Sequence, residues 1–390
     1  MEIFNLDTTE WALVAIVLFF LLIQALYYLC LYNKMYRHNK AVKAGEVHFS
    51  QELPPVSVII TAREECNNLR QNLTDILEQD YPQFEVIVVN DGNTDESEDY
   101  LTLLQEHYPH LYHSFVPASS RYISRKKLAI SIGIKAAKYE WLLFTEANCR
   151  PVSNQWLRLM ARNFTSHTDV VLGYSGYRRE KEHKQRFINF DNLFNHLRFL
   201  GCALAGKPYM GLGRNLAYRK SLFFRQKGFT EHLHLQHGAD DLFVNQVANG
   251  SNTRVECEAD AVVRMSPVIR NKLWREEKIG YTSTSFHYHG LQRWLLGLET
   301  TSRLLFHASW MIAIVVGILK QQWLLAGIGL LLFILRYLLQ AIIINKTAKQ
   351  LNESYRFYFL LPWLDVLQPL QSLRWKLYCR FRKKAEFMRK

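Results

Sequence analysis

Clustered cysteine is the first feature missing. Cys30, Cys66, Cys149, Cys202, Cys257 and Cys379 are scattered through 390 residues with no close pair, no CxxC and no Cys/His set at metal-ligand spacing. Neither a disulfide framework nor a structural zinc is expected, and the thiols read as reduced and packed among apolar groups. Basic residues are missing from the start: the first ten positions carry Glu2, Asp7 and Glu10 but no Lys or Arg, unlike the basic opening of a signal peptide. Charge of either sign is missing from Trp11 to Tyr32, 22 residues, a length that as a helix reaches roughly 33 Å and crosses a bilayer core. Neither a disordered nor a collagen-like chain fits a composition that is 49% hydrophobic and 13% aromatic.

What is present is an excess of positive charge, 48 Lys+Arg against 35 Asp+Glu, net +13. Its placement points to a membrane surface and not to nucleic acid. Lys34, Arg37, Lys40 and Lys43 follow the first apolar run, so the positive-inside rule puts the N-terminus outside and the chain after Tyr32 in the cytoplasm. A second apolar block, Leu304 to Leu319, is interrupted at Lys320, Gln321 and Gln322 and resumes from Trp323 to Ile344. This pattern predicts a helical hairpin whose Arg336 must snorkel, pair or mark an earlier exit. The stretch Phe357 to Leu373 contains Pro362, Asp365 and Pro369, which predicts an interfacial or re-entrant segment and not a fourth span. Beyond it Arg380, Arg382, Lys383, Lys384, Arg389 and Lys390 form a basic cluster suited to membrane lipids.

Between about residues 50 and 270 short β-branched runs alternate with helical periodicity, which predicts an α/β domain of βαβ units. Val56 to Thr61, Phe84 to Val89, Trp141 to Phe144 and Val170 to Leu172 read as strands, and Leu69, Leu73, Ile76 and Leu77 lie on one helical face. Ligands of open α/β sheets bind beyond the carboxyl ends of the strands. Those ends read Thr61-Ala62-Arg63-Glu64-Glu65, Asn90-Asp91-Gly92-Asn93-Thr94-Asp95 and Thr145-Glu146-Ala147-Asn148-Cys149. Asp91 follows a strand in a turn with Gly92, and Asp95 suits a helix cap. Lys127 opens the next helix beside Arg125 and Lys126. Glu146 and Asn148, two residues apart in extended chain, point to one face and suit a hard cation.

The strand leading to "NDGNTDES", the helix start "SRKKLAISIGIKAA", the acidic triplet, "GLGRNLAYRKSLF" and "GADDLFVNQVA", in that order, resemble the membrane-anchored family 2 glycosyltransferases of bacteria over roughly residues 54–290. The resemblance implies a GT-A-type, Rossmann-like nucleotide-sugar domain flanked by transmembrane helices. It divides the chain into an anchor at 1–33, a cytoplasmic catalytic domain at 50–290, an interfacial helix with a hairpin at 291–345, and a basic tail at 346–390. It implies a nucleotide diphosphate sugar as donor, held by Thr61, Arg63, Glu64, Asp91, Lys127 and Glu146, with Mg²⁺ or Mn²⁺ at Glu146 and Asn148. Asp240 or Asp241 would serve as catalytic base for inverting transfer. Gly213, Arg214, Asn215, Trp274 and Arg275 would face a lipid-linked or other glycan acceptor. The implied location is a bacterial inner membrane, the implied role cell-envelope glycan synthesis.

Three departures fall on the chemical parts. The usual D-x-D reads Glu146-Ala147-Asn148, an acid of close relatives is replaced by Ala239, and Ile279-Gly280 stands where basic residues are common. They leave open a catalytically weak scaffold acting as an assembly partner. A polymer-extruding synthase is disfavoured, since three spans give little channel wall and no QxxRW lies in the helix expected at 271–288.

Overall fold

The computed structural model describes residues 6–92, 95–117, 124–179, 183–267 and 271–381. The chain enters as α1 (Thr8–Tyr27), a π turn (Tyr28–Tyr32) and α2 (Lys34–Lys43). Asp7 caps α1, its carboxylate accepting from the Glu10 amide at 2.8 Å while Glu10 Oε2 accepts from the Asp7 amide at 2.9 Å.

The central domain follows as β1 (Val56–Ala62), α3 (Cys66–Leu77), β2 (Phe84–Asn90), α4 (Ser97–His107), β3 (Leu111–Phe115), α5 (Arg125–Ala136), β4 (Trp141–Glu146), β5 (Cys149–Pro151), α6 (Trp156–Ala161), β6 (Val170–Gly173), β7 (Ser175–Tyr177) and α7 (His183–Leu204). It closes with β8 (Leu216–Arg219), α8 (Lys220–Arg225), α9 (Asp241–Val247), β9 (Thr253–Glu256), β10 (Val263–Met265) and α10 (Asn271–Ser285). The main sheet has the order β3-β2-β1-β4-β8-β6-β9, with β5-β10-β7 as a smaller sheet beside it. The strands β1 to β4 run parallel, and β8 runs antiparallel to both β4 and β6. All four strands expected from the sequence are present, each one or two residues longer at its carboxyl end.

Their apolar runs serve two cores at once. Val56, Val58, Ile60, Val86 and Val88 face the layer that holds Leu69, Leu73 and Ile76, whereas Ile59, Ile87 and Val89 face the layer that holds Ile130 and Ile134. Alternation by twos therefore buries both faces, which is why these strands carry almost no polar residue. The register matters more for function: Thr61 lies opposite both Val89 and Glu146, and Ala62 opposite Asn90. Three strand ends thus stop level along one edge.

The last part is α11 (Gln292–Leu319), α12 (Trp323–Gln350) and α13 (Leu361–Phe381). Three helical stretches, Thr8–Lys43, Gln292–Leu319 and Trp323–Gln350, are long and apolar enough to cross a membrane. They pack as a bundle through Val17, Leu21, Phe306, Ala313 and Leu325. Lys320 in the α11–α12 turn meets Asp7 at 3.1 Å and Glu10 at 3.3 Å, so the start of α1 and the hairpin turn share one end of the bundle. In α13 Pro362 sits in the first turn, where a missing amide costs nothing, and Pro369 is internal.

Arg336 pairs. Its Nη1 lies 2.7 Å from Asp365 Oδ2 and its Nη2 donates to Gln24 Oε1 at 3.0 Å. His307 Nε2 at 2.7 Å, Gln340 Nε2 at 2.7 Å and Arg303 Nη1 at 3.4 Å complete the surroundings of the Asp365 carboxylate. Arg303 also faces Glu299, which is ion-paired with Arg198 of α7. Fully buried charges survive only when paired and hydrogen-bonded, and this chain of pairs ties the helices to one another and to the domain.

Candidate active site

A cleft of about 510 Å³ opens over the level strand ends, lined by Arg63, Ser124, Arg125, Lys126, Glu146, Arg214, His237, Asp240, Glu277 and Tyr281 among others. Each wall comes from a different element. The β1 end supplies Arg63 and the β4 end Glu146. The first turn of α5 supplies Arg125 and Lys126, with Ser124 capping that helix by accepting from the Lys127 amide at 3.3 Å. The residue preceding α9 is Asp240, and α10 lies across the opening with Glu277 and Tyr281.

Charge in the cleft is arranged as a chain. Glu146 takes Lys126 Nζ on Oε1 at 2.6 Å and Arg214 Nε on Oε2 at 3.0 Å. Arg214 in turn makes a fork–fork pair with Glu277, at 3.0 and 2.8 Å. Burial by itself would raise the Glu146 carboxyl, but the Lys126 and Arg214 charges outweigh it and hold the group well below the usual carboxylate range. Glu65, behind it, is pushed up to about 7 by burial and by the Glu146 charge. At the rim Arg125 Nε lies 2.5 Å from Asp91 Oδ1, so the turn after β2 is tied to the same basic helix start.

The two adjacent aspartates have different surroundings. Asp240 faces the cleft, and its Oδ2 accepts from the Gly213 amide at 2.9 Å and the Tyr281 hydroxyl at 3.0 Å. Asp241 is fully buried; Tyr288 donates to its Oδ2 at 2.7 Å, Thr284 donates to the same oxygen, and Oδ1 has no partner among the described residues. Burial and the neighbouring Asp240 push Asp241 up to about 7. A protonated carboxyl also removes the penalty of an unpaired anionic oxygen in the core. The folded chain then keeps a proton that the unfolded chain releases above about pH 4. Stability is therefore expected to fall as pH rises from about 4 to 7 and to level off above. In Asp241→Asn that slope should flatten, as read from thermal unfolding of the full chain between pH 5 and 8.

The structure brings Arg63, Glu146, Arg214 and Asp240 into one cleft, with Thr61 and Gly213 in a small niche beside it. Other residues singled out from sequence lie elsewhere. Lys127 turns away from the cleft: buried, it donates to the His232 and Leu235 carbonyls at 2.5 and 2.9 Å, and burial pulls its amine down to about 8. The cation on the strand-end side is its neighbour Lys126, because a helix start sends adjacent side chains about 100° apart. Asn215 points inward, donating to the Tyr174 and Ala261 carbonyls at 2.9 and 3.0 Å and accepting from Trp156 Nε1 at 3.0 Å. Its role is in the core and not toward an acceptor. Asn148 Oδ1 accepts from the Cys149 thiol at 3.2 Å. Glu64 adopts the left-handed φ of 53°, Trp274 faces a second cavity, and Arg275 is exposed. Asn93 and Thr94 of the β2 turn lie outside the described residues.

Sequence reading missed Glu277, Tyr281 and His237. Glu277 and Tyr281 are four apart on α10, a spacing that places both on one helical face. His237 is half-buried, and its ring packs over Gly280, where a Cβ would sit 2.8 Å from Nδ1. One of the sequence departures, Gly280, thus leaves room for this imidazole, and a second, Ala239, lines the same cleft. Burial, with Lys126 nearby, depresses the imidazole pKa, so the ring is neutral at pH 7.

Parallel strands ending level under a cleft, with a carboxylate opposite a basic helix start, are the site geometry of an open α/β sheet, and the chain shares its fold with a solved glycosyltransferase of GT-A type. Residues 57–224 match the model of glycosyl transferase family 2. The chain is similar to the poly-beta-1,6-N-acetyl-D-glucosamine synthase of Staphylococcus epidermidis, 23% identical over 127 residues that make up 33% of this chain and 29% of the other. The match thus spans under a third of that relative's length. Among solved structures it resembles a mannosyltransferase from Pyrobaculum calidifontis in complex with GDP-Man and Mn²⁺, at a TM-score of 0.61 and 18% identity, covering 95% of this chain and 99% of that one.

Proposed function

We propose that the protein transfers a sugar from a nucleotide diphosphate donor to a lipid-linked or membrane-proximal glycan acceptor, with inversion, in cell-envelope glycan synthesis. The observation that carries this is the convergence of Glu146, Lys126, Arg214 and Asp240 in one cleft at the level ends of β1, β2 and β4. Asp91, at the rim, is placed for the base or ribose, and Thr61 and Arg63 extend the same edge. Arg63, Arg125 and Lys126 face the diphosphate, the group on which negative charge grows as the donor bond breaks. Asp240 takes the proton of the acceptor hydroxyl. The hydroxyl oxygen bonds to the anomeric carbon on the face opposite the phosphate, whose oxygen leaves with the bond's electron pair. Tyr281 and the Gly213 amide hold the carboxylate in place for that proton.

The cleft offers Mg²⁺ or Mn²⁺ one carboxylate, Glu146, because the Asn148 amide oxygen expected beside it accepts from the Cys149 thiol instead; among the described residues no three His, Cys, Asp or Glu converge. Such a set fits an ion held largely by substrate phosphates, since Mg²⁺ commonly takes one or two carboxylates together with phosphate oxygens. When bound it would neutralise charge on the diphosphate. The Lys126 and Arg214 pairs with Glu146 must loosen to admit it.

With the three spans read as crossing a bacterial inner membrane, the basic α2 and tail put the domain in the cytoplasm. The test is calorimetry of the detergent-purified chain with UDP, GDP, dTDP and CMP, with and without Mn²⁺. One nucleotide is expected to gain affinity with Mn²⁺ and to lose that gain in Glu146→Ala. If none binds at millimolar concentration while the chain stays folded, the transferase reading is overturned in favour of a non-catalytic assembly partner.

A further inference from the structure

Beside the cleft, on the other side of Tyr281, is a second cavity of about 420 Å³ bounded by α7, α10, α11 and α13. Four of its side chains are cationic: Arg198, Lys278, Arg293 and Lys376. Two are matched, Lys278 by Asp191 and Arg198 by Glu299. Arg293 reaches only the Phe286 carbonyl at 3.4 Å, and neither it nor Lys376 has a carboxylate partner among the described residues. Partial burial and the Arg198 and Arg293 charges lower the pKa of Lys376, as expected of cations gathered without an anion.

The position of this cavity is as informative as its charge. Exposed Trp294 and Leu298 on the first turns of α11, and Leu373 and Leu377 on α13, flank it, the apolar-aromatic border of a bilayer interface. Tyr281 lines both cavities and bonds to Asp240.

We propose that this cavity binds the phosphate of a lipid headgroup and so presents the acceptor to Asp240. This deepens the transferase reading and rests on it for the word acceptor. Two unmatched cations complement a phosphate monoester, which carries about −1.5 to −2 at neutral pH. Trp274 and Trp375, 6.2 Å apart, give apolar faces for the glycerol or sugar next to the phosphate.

The test is calorimetry of the full chain in neutral detergent with dioctanoyl phosphatidic acid, dioctanoylglycerol and inorganic phosphate. Phosphatidic acid is expected to bind at least tenfold more tightly than either of the others. Combined Arg293→Gln and Lys376→Gln should weaken it at least tenfold with little change in melting temperature, since neither side chain has a carboxylate partner among the described residues to lose. Combined Lys40→Gln and Lys43→Gln, an equal loss of charge on α2, should leave it unchanged. Equal binding of inorganic phosphate would overturn the lipid source. Equal binding of dioctanoylglycerol, or an equal loss in the α2 control, would overturn the site. Nucleotide titration of the same sample separates the two readings: phosphatidic acid without nucleotide binding removes the donor site and keeps this one, and the converse result removes this one.

Discussion

Asp240→Asn is expected to lower sugar transfer by about 10²–10⁴-fold, the usual effect of losing a positioned general base. Nucleotide affinity should hold within a factor of about three, because the diphosphate side of the cleft is built from Arg63, Arg125 and Lys126. Folding should hold too: an asparagine oxygen can still accept from the Gly213 amide or the Tyr281 hydroxyl, which now meet at Asp240 Oδ2. The measurement is single-turnover transfer beside nucleotide calorimetry on one preparation. A loss below about tenfold sinks the assignment and moves the proton to His237, which lines the same cleft and is neutral at pH 7 because burial and Lys126 depress its pKa. The neighbouring Asp241 is no substitute, since it is fully buried against Thr284 and Tyr288.

Asp365→Leu should cost about 3–5 kcal/mol, the penalty of leaving buried charge without its partner. This carboxylate faces Arg336, Arg303, His307 and Gln340, and water cannot replace it inside the helix bundle. The expected readouts are a large fall in melting temperature in detergent and a low yield of folded chain. Arg336→Leu should be milder, because Arg303, His307 and Gln340 still satisfy Asp365. Combining the two should recover part of the Asp365→Leu loss, by removing the worst stranded charge. If Asp365→Leu melts within about 1 kcal/mol of the natural chain, the network is not what docks α13 onto the bundle.

The 27 positions that separate Gly213 from Asp240 in the sequence have no meaning until the chain folds. Gly213 and Asp240 meet because the loop before β8 and the start of α9 lie over the same sheet edge. In the same way Arg336 gave three options from sequence, and only the arrival of Asp365 from α13 decided among them.

By itself the sequence determined the three helices long and apolar enough to cross a membrane, the α/β domain and the strand ends that line the cleft. These are local properties: uncharged length, β-branched runs covered on both faces, and polar residues set where the runs stop. Only the tertiary structure decided that Lys126 and not Lys127 faces Glu146, that Asn215 belongs to the core, that Asp240 and not Asp241 reaches the cleft, and that α10 brings Glu277 and Tyr281 over it. Each of those is a choice between side chains of like chemistry at neighbouring positions. Composition and spacing weigh them equally; the direction in which the backbone turns them, and the partners waiting there, do not.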